Sequence, residues 1–272
     1  MRDSDDAFLK DVFEPDHLKS LAGKRALITG ATAGIGLATA AFLAAEGVHL
    51  VLVARREQRL KIFAETLRKK FPDISVEILN ASVTDGDFSA KLVNSSFHKI
   101  DILVNNAGLA SGADTILNAK ISDWEKMLST NVTAAFQIIH TCLPHMVAQG
   151  AGHIVNLCSI AGHVAYEGGS VYCATKHALR AFTQALRQET CDKNIQVTLI
   201  SPGMVETEFS KVRFSGDTER SQKVYEGMIP LNSKDIARQI IFALKQPSHC
   251  NVDEILVMPT VQGAATKVFR TH

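Results

Sequence analysis

The sequence has no excess of either charge, no apolar run long enough to span a membrane, no closely paired cysteines and no histidine pattern suited to a metal. Each absence removes a class of function. Lysine and arginine total 29 against 28 acidic residues, so no basic surplus points to nucleic acid or to an anionic membrane surface. Without a long apolar run, no transmembrane helix is expected. The N-terminus has no signal-peptide core, and Asp3, Asp5, Asp6, Asp11, Glu14 and Asp16 argue against an acid-poor transit peptide. The five cysteines (142, 158, 173, 191 and 250) are an odd number without a CxxC pair. They read as reduced thiols of a cytoplasmic protein. His140 and His145 do not share a helical face, and His153, His163 and His177 read as surface or loop residues, so no metal is expected.

What is present is a regular alternation of strand-like and helix-like stretches. Strands are expected at Arg25 to Thr29, Val48 to Val53, Ile74 to Leu79, Asp101 to Val104, His153 to Leu157, Ile195 to Ile200 and Glu254 to Val257. Helices are expected at Gly34 to Glu46, Arg56 to Lys70, Asp123 to Gln149 (bent near Pro144), Ser170 to Thr190 and Lys234 to Lys245. Residues 205 to 227 form a polar, mixed stretch. Short apolar runs each followed by a helical pattern imply a parallel sheet covered on both faces. The expected fold is therefore α/β, a single-domain, doubly wound, Rossmann-type parallel sheet of about seven strands. Residues 1–22 read as an N-terminal extension and 23–272 as the dinucleotide-binding catalytic domain.

The first strand runs into Thr29-Gly30-Ala31-Thr32-Ala33-Gly34-Ile35-Gly36. Glycines at a strand-to-helix turn let backbone N–H groups approach a phosphate, and the helix N-terminus adds a favourable dipole. Gly30, Thr32, Gly34, Ile35 and Gly36 are thus candidates for holding a dinucleotide. The second strand ends Val53-Ala54-Arg55-Arg56. An acid there would bond the ribose 2′-hydroxyl of NAD; two guanidiniums instead suit the 2′-phosphate of NADP.

Tyr172 and Lys176 are four apart on an expected helix and share a face. An adjacent ammonium would lower the phenol pKa from about 10, letting Tyr172 exchange a proton with a carbonyl oxygen as hydride reaches its carbon. Ser159, at the end of the fifth strand, can hydrogen-bond the same oxygen. Tyr166 has no lysine four positions on and is a pocket-lining candidate. Glu206 and Glu208 read as solvated or structural.

These residues carry a family resemblance. With Asn105-Asn106-Ala107-Gly108, Thr130-Asn131-Val132 and Pro202-Gly203, the chain resembles the short-chain dehydrogenase/reductases over nearly all of residues 23 to 260. The resemblance implies that Asn106, Ala107 and Gly108 sit against the cofactor and that Asn131 holds a water linking Lys176 to a proton relay. It also implies that Lys176 bonds the nicotinamide ribose, and that Pro202, Gly203, Val205 and Thr207 run past the nicotinamide. Where the family has an Asp after the third strand to contact adenine, this chain has Ser82. Ser159 to Gly162, Val171 to Lys176 and Pro202 to Ser210 with Val212-Arg213-Phe214 are similar to the NADP-dependent 3-hydroxy acid dehydrogenases, serine and allo-threonine dehydrogenases among them. A hydroxy-acid substrate carries a carboxylate, for which Arg213 is one candidate partner and His163 another. The family commonly forms tetramers through its long helices, and the apolar arc of residues 170 to 190 fits a homotetramer. Two alternatives stay open: a carbonyl reductase for larger ketones, sugars or lipids, and an NADP-sensing module without turnover.

Overall fold

A computed structural model describes residues 18–271. Seven strands form one sheet in which every pairing is parallel: β1 (Arg25–Thr29), β2 (His49–Ala54), β3 (Val76–Asn80), β4 (Ile102–Asn105), β5 (Gly152–Leu157), β6 (Ile195–Pro202) and β9 (Glu254–Val257). The spatial order is β3-β2-β1-β4-β5-β6-β9, so the order in which successive strands are added reverses between β1 and β4. Ligands of such sheets bind in the crevice at the carboxyl ends of the strands beside that reversal. A short parallel pair, β7 (Val205–Glu206) with β8 (Leu231–Asn232), stands apart.

The strands read as continuous apolar runs because helices cover both faces. One face packs on α1 (Gly34–Ala45), α2 (Glu57–Lys70) and α9 (Ser233–Leu244), with Leu43, Leu60 and Ile240 in its core. The other packs on α3 (Phe88–Asn94), α5 (Ala135–Gln149) and α6 (Ser170–Thr190), with Phe88, Ile138 and Leu186 buried. At the start of α9, the Asn232 side chain accepts from the Lys234 and Asp235 N–H groups, and Asp235 accepts from Asn232 N, a reciprocal cap. The stretch 205–227 holds β7, α7 (Phe209–Arg213) and α8 (Thr218–Lys223).

Two expectations are corrected, the long helix and His153, and the end of the N-terminal stretch is placed. The long helix proposed from Asp123 is α4 (Ile121–Leu128), a π turn (Ser129–Ala134) and α5; the change falls at the π turn, and Pro144 lies inside α5. Of the expected N-terminal extension, 1–17 lie outside the described residues. Leu21 is buried in the core, and Lys19 N donates to Lys245 O at 2.8 Å. His153 is not on the surface. It is 2% exposed in β5, with Nε2 2.8 Å from Thr198 Oγ1 and Nδ1 without a partner among the described residues.

Burial, with the charge of Lys19 adding, pushes the His153 imidazole down to about 3. Unfolded histidine titrates near pH ~6.5. Below that value the unfolded chain binds the proton and the folded chain does not. The contribution of neutral His153 is therefore full above pH ~6.5 and is lost as pH falls toward about 3. Urea unfolding of His153→Gln should show a shallower loss of stability across this window than wild type. An identical slope would remove His153 as its cause.

Candidate active site

The turn after β1 is locked to the end of β4. Asn106 N and Ala107 N donate to Thr29 Oγ1 at 3.0 and 2.9 Å, and Asn106 Nδ2 donates to Thr29 O at 2.8 Å. Gly30 has φ +69°, and a Cβ there would lie 2.8 Å from Asn106 Nδ2. A Cβ on Gly36 would meet Gly30 O and Asn106 Nδ2 at 2.5 Å. Both positions therefore exclude a side chain. Ala33, at the N-cap of α1, makes no side-chain cap bond, so no capping side chain occupies the front of this helix. That arrangement suits a phosphate.

Above this turn opens a cavity of about 970 Å³. At one end it is lined by Gly30, Thr32, Gly34, Ile35, Arg55, Arg56 and Ser82, and along its floor by Asn106, Ala107 and Gly108. Ser159, Tyr166, Tyr172, Lys176, Pro202, Gly203, Val205, Thr207 and Arg213 line the rest. Gly36 packs behind the turn, and Asn131 is buried beneath the floor. His163 is elsewhere: its Nε2 lies 2.6 Å from Glu254 Oε1, which also accepts from Ser201 Oγ at 2.7 Å. A ring committed to that carboxylate is not a partner for a substrate carboxylate in the cavity, which His163 does not line.

Tyr172 and Lys176 share one face of α6 and are both buried, at 8% and 6% exposure. Lys176 Nζ donates to Leu157 O at 2.7 Å and lies 6.0 Å from the Tyr172 ring centroid. Burial holds the Lys176 ammonium below its ordinary value. The expected lowering of the Tyr172 phenol by Lys176 is not found. Burial raises the phenol, the nearby Tyr166 adds to this, and the Ser159 hydroxyl and the Arg213 charge oppose it. Desolvation of the phenolate outweighs any benefit from an ammonium that is tied to a backbone carbonyl. Ser159 Oγ also accepts from Ala161 N at 3.1 Å, which fixes it at the end of β5.

Asn131 sits in the π turn, a feature frequent at functional sites. Its Oδ1 accepts from Leu109 N at 2.9 Å, and its Nδ2 donates to Leu109 O at 2.7 Å and Thr175 Oγ1 at 3.1 Å. Its side chain thus braces the loop after β4 against α6. Arg213 spans the roof, donating from Nε to Gly112 O at 3.2 Å, from Nη2 to Gly168 O at 3.1 Å and from Nη1 to Tyr166 Oη at 3.5 Å.

Three contacts had no signal in the sequence. Glu208 is not simply solvated, because it pairs with Arg56 at 2.6 Å and Arg59 at 2.8 Å, whose guanidiniums hold its carboxyl below the usual range. Gln262 Oε1 accepts from Met204 N at 2.8 Å, tying the C-terminal tail to the turn after β6. The Phe209 ring stands 5.7 Å from that of Tyr172.

The family model "short chain dehydrogenase" matches residues 24–218. The chain is 42% identical to an NADP-dependent 3-hydroxy acid dehydrogenase of Schizosaccharomyces pombe, over 93% of this chain and 99% of the relative. It is 41% identical to a serine 3-dehydrogenase of Agrobacterium fabrum, over 90% and 97%. The solved closed form of serine dehydrogenase complexed with NADP+ superposes with a TM-score of 0.83 at 34% identity, covering 91% of this chain and 99% of that one. The chain belongs to the short-chain dehydrogenase family. It is an oxidoreductase acting on CH–OH groups, with the Rossmann-like fold expected for the class.

Proposed function

We propose that this protein is an NADP-dependent dehydrogenase that interconverts small 3-hydroxy acids and their 3-oxo counterparts. The observation that carries this is the single cavity reaching from Arg55, past Ser159, Tyr172 and Lys176, to Arg213. The residues fit NADP: a glycine turn that excludes side chains at Gly30 and Gly36, before an uncapped helix, for the pyrophosphate, and Arg55, exposed just past the end of β2, for the 2′-phosphate. When bound, NADP supplies the hydride acceptor or donor. The relatives' names and the NADP+ complex of serine dehydrogenase support the same choice.

The chain's own part is positioning and proton transfer. Tyr172 gives a proton to the substrate oxygen in reduction and takes one from the hydroxyl in oxidation. Ser159 hydrogen-bonds that oxygen and holds it over the phenol. Lys176 contributes a buried positive charge one helical turn away. Arg213 has N–H donors left after its three bonds and puts a guanidinium on the cavity wall, where a small substrate's carboxylate needs a partner.

Tyr172→Phe should lose nearly all turnover, at least ~100-fold, while still binding NADPH; retained turnover would end the proton-donor role. Because the phenol is raised, wild-type oxidation of a hydroxy acid should climb toward alkaline pH, and carbonyl reduction should stay level through neutrality. Arg213→Ala should raise KM for serine-like and 3-hydroxypropionate-type acids more than for a neutral alcohol or a bulky ketone. Equal effects would take Arg213 out of substrate binding.

We further propose a cytoplasmic homotetramer. The stack of Phe136 on Phe182, 3.8 Å between ring centroids, joins α5 and α6 into one outer face, and three of the cysteines are buried free thiols. Among the described residues no helix is long and apolar enough to cross a membrane. Sedimentation equilibrium should return four times the chain mass; a single-chain mass would refute the assembly.

A further inference from the structure

The eight residues after β7's first strand position tie the two ends of the cavity together. Thr207 stands over the glycine turn, where a Cβ on Gly34 would lie 3.2 Å from its Cγ2. Glu208 Oε2 accepts from Arg56 Nη1 at 2.6 Å and Oε1 from Arg59 Nη1 at 2.8 Å. Phe209 packs on Tyr172, and Arg213 closes on Gly112 O and Gly168 O. One short segment therefore contacts the phosphate turn, the end of β2, the proton donor and the roof.

The two arginines at the end of β2 differ. Arg56 is committed: besides Glu208 it donates to Thr32 Oγ1 at 3.3 Å and Thr32 O at 3.1 Å. Arg55 lines the cavity, is exposed, and its guanidinium makes no hydrogen bond or ion pair among the described residues. The sequence suggests a joint arginine clamp on a 2′-phosphate; the contacts divide the work.

We propose that Glu208 is a positioning residue that latches the 205–213 segment over the cavity through Arg56 and Arg59, and that Arg55 alone discriminates the 2′-phosphate. The second half rests on the NADP reading; the first does not. The side chains of Arg56, Glu208 and Arg59 are 40%, 43% and 56% exposed. Exposed pairs add little to global stability, so the latch sets where the segment sits and not whether the domain folds. A latch that grips neither phosphate nor nicotinamide directly serves NADP and NAD alike. It weakens with salt, as exposed ion pairs do.

The test compares Glu208→Gln, Arg59→Gln, their double variant and Arg55→Ala, in the full chain. Arg59 contacts Glu208 and is not part of the cavity wall. Glu208→Gln should raise the Kd of NADPH and of NADH by the same factor, about fivefold, and raise the hydroxy-acid KM. Its kcat and thermal midpoint should stay near wild type. Arg59→Gln should do the same more weakly, and the double variant should be no worse than Glu208→Gln, as residues in one network behave. High salt should shrink the gap from wild type. Unchanged Kd and KM in Glu208→Gln would overturn the latch. So would tighter NADPH binding with NADH unaffected, which would make Glu208 a competitor of the 2′-phosphate for Arg56. Arg55→Ala should weaken NADPH and leave NADH alone. An unaltered preference there would sink the NADP reading, while the Glu208 comparison, read with both cofactors, would still decide the latch.

Discussion

The site depends on the burial of a phenol and an ammonium one turn apart on the same helix. Tyr172 and Lys176 are both nearly inaccessible, and water is therefore not there to stabilise either charge. For the ammonium the protein substitutes the Leu157 carbonyl at 2.7 Å. For the phenol it supplies neighbours that pull both ways, the Ser159 hydroxyl and the Arg213 charge against burial and Tyr166. The net effect holds the Tyr172 phenol above its ordinary value. An acid that holds its proton at neutral pH suits the reductive direction, and the reverse reaction needs the phenolate.

The remaining architecture builds the cavity that this phenol lines. The sheet order places the β1 turn beside the end of β4, and Thr29 and Asn106 bind the two together. The π turn at Ser129–Ala134 sets Asn131 where its amide can brace Leu109 and Thr175. That bond to Thr175 holds the helix segment between the tyrosine and the lysine. The segment after β6 then roofs the cavity, with Phe209 against Tyr172 and Arg213 on the loops at Gly112 and Gly168.

The strands and most helices were legible because a sheet covered on both faces needs short, wholly apolar runs, and these stand out between amphipathic stretches. Ser170–Thr190 falls where its pattern puts it, and the glycine turn and the Tyr-x3-Lys spacing are set by local order along the chain. The misses share a cause: each depends on a partner far along the chain or on solvent access. Glu208 meets Arg56 from 152 residues away. His163 is claimed by Glu254, 91 residues on. His153 lies in β5 between β4 and β6, and its ring meets Thr198, 45 residues on. The π turn shifts a hydrogen-bond register that apolar periodicity does not encode. The effect of Lys176 on Tyr172 was inferred from spacing, and spacing carries no information on burial.

Desolvation, and not the neighbouring lysine, sets the protonation of Tyr172. An ultraviolet pH titration of wild type minus Tyr172→Phe isolates that one phenol. The expected difference spectrum shows no phenolate until pH passes the ordinary tyrosine value of about 10. Phenolate absorbance already present near neutrality would contradict it.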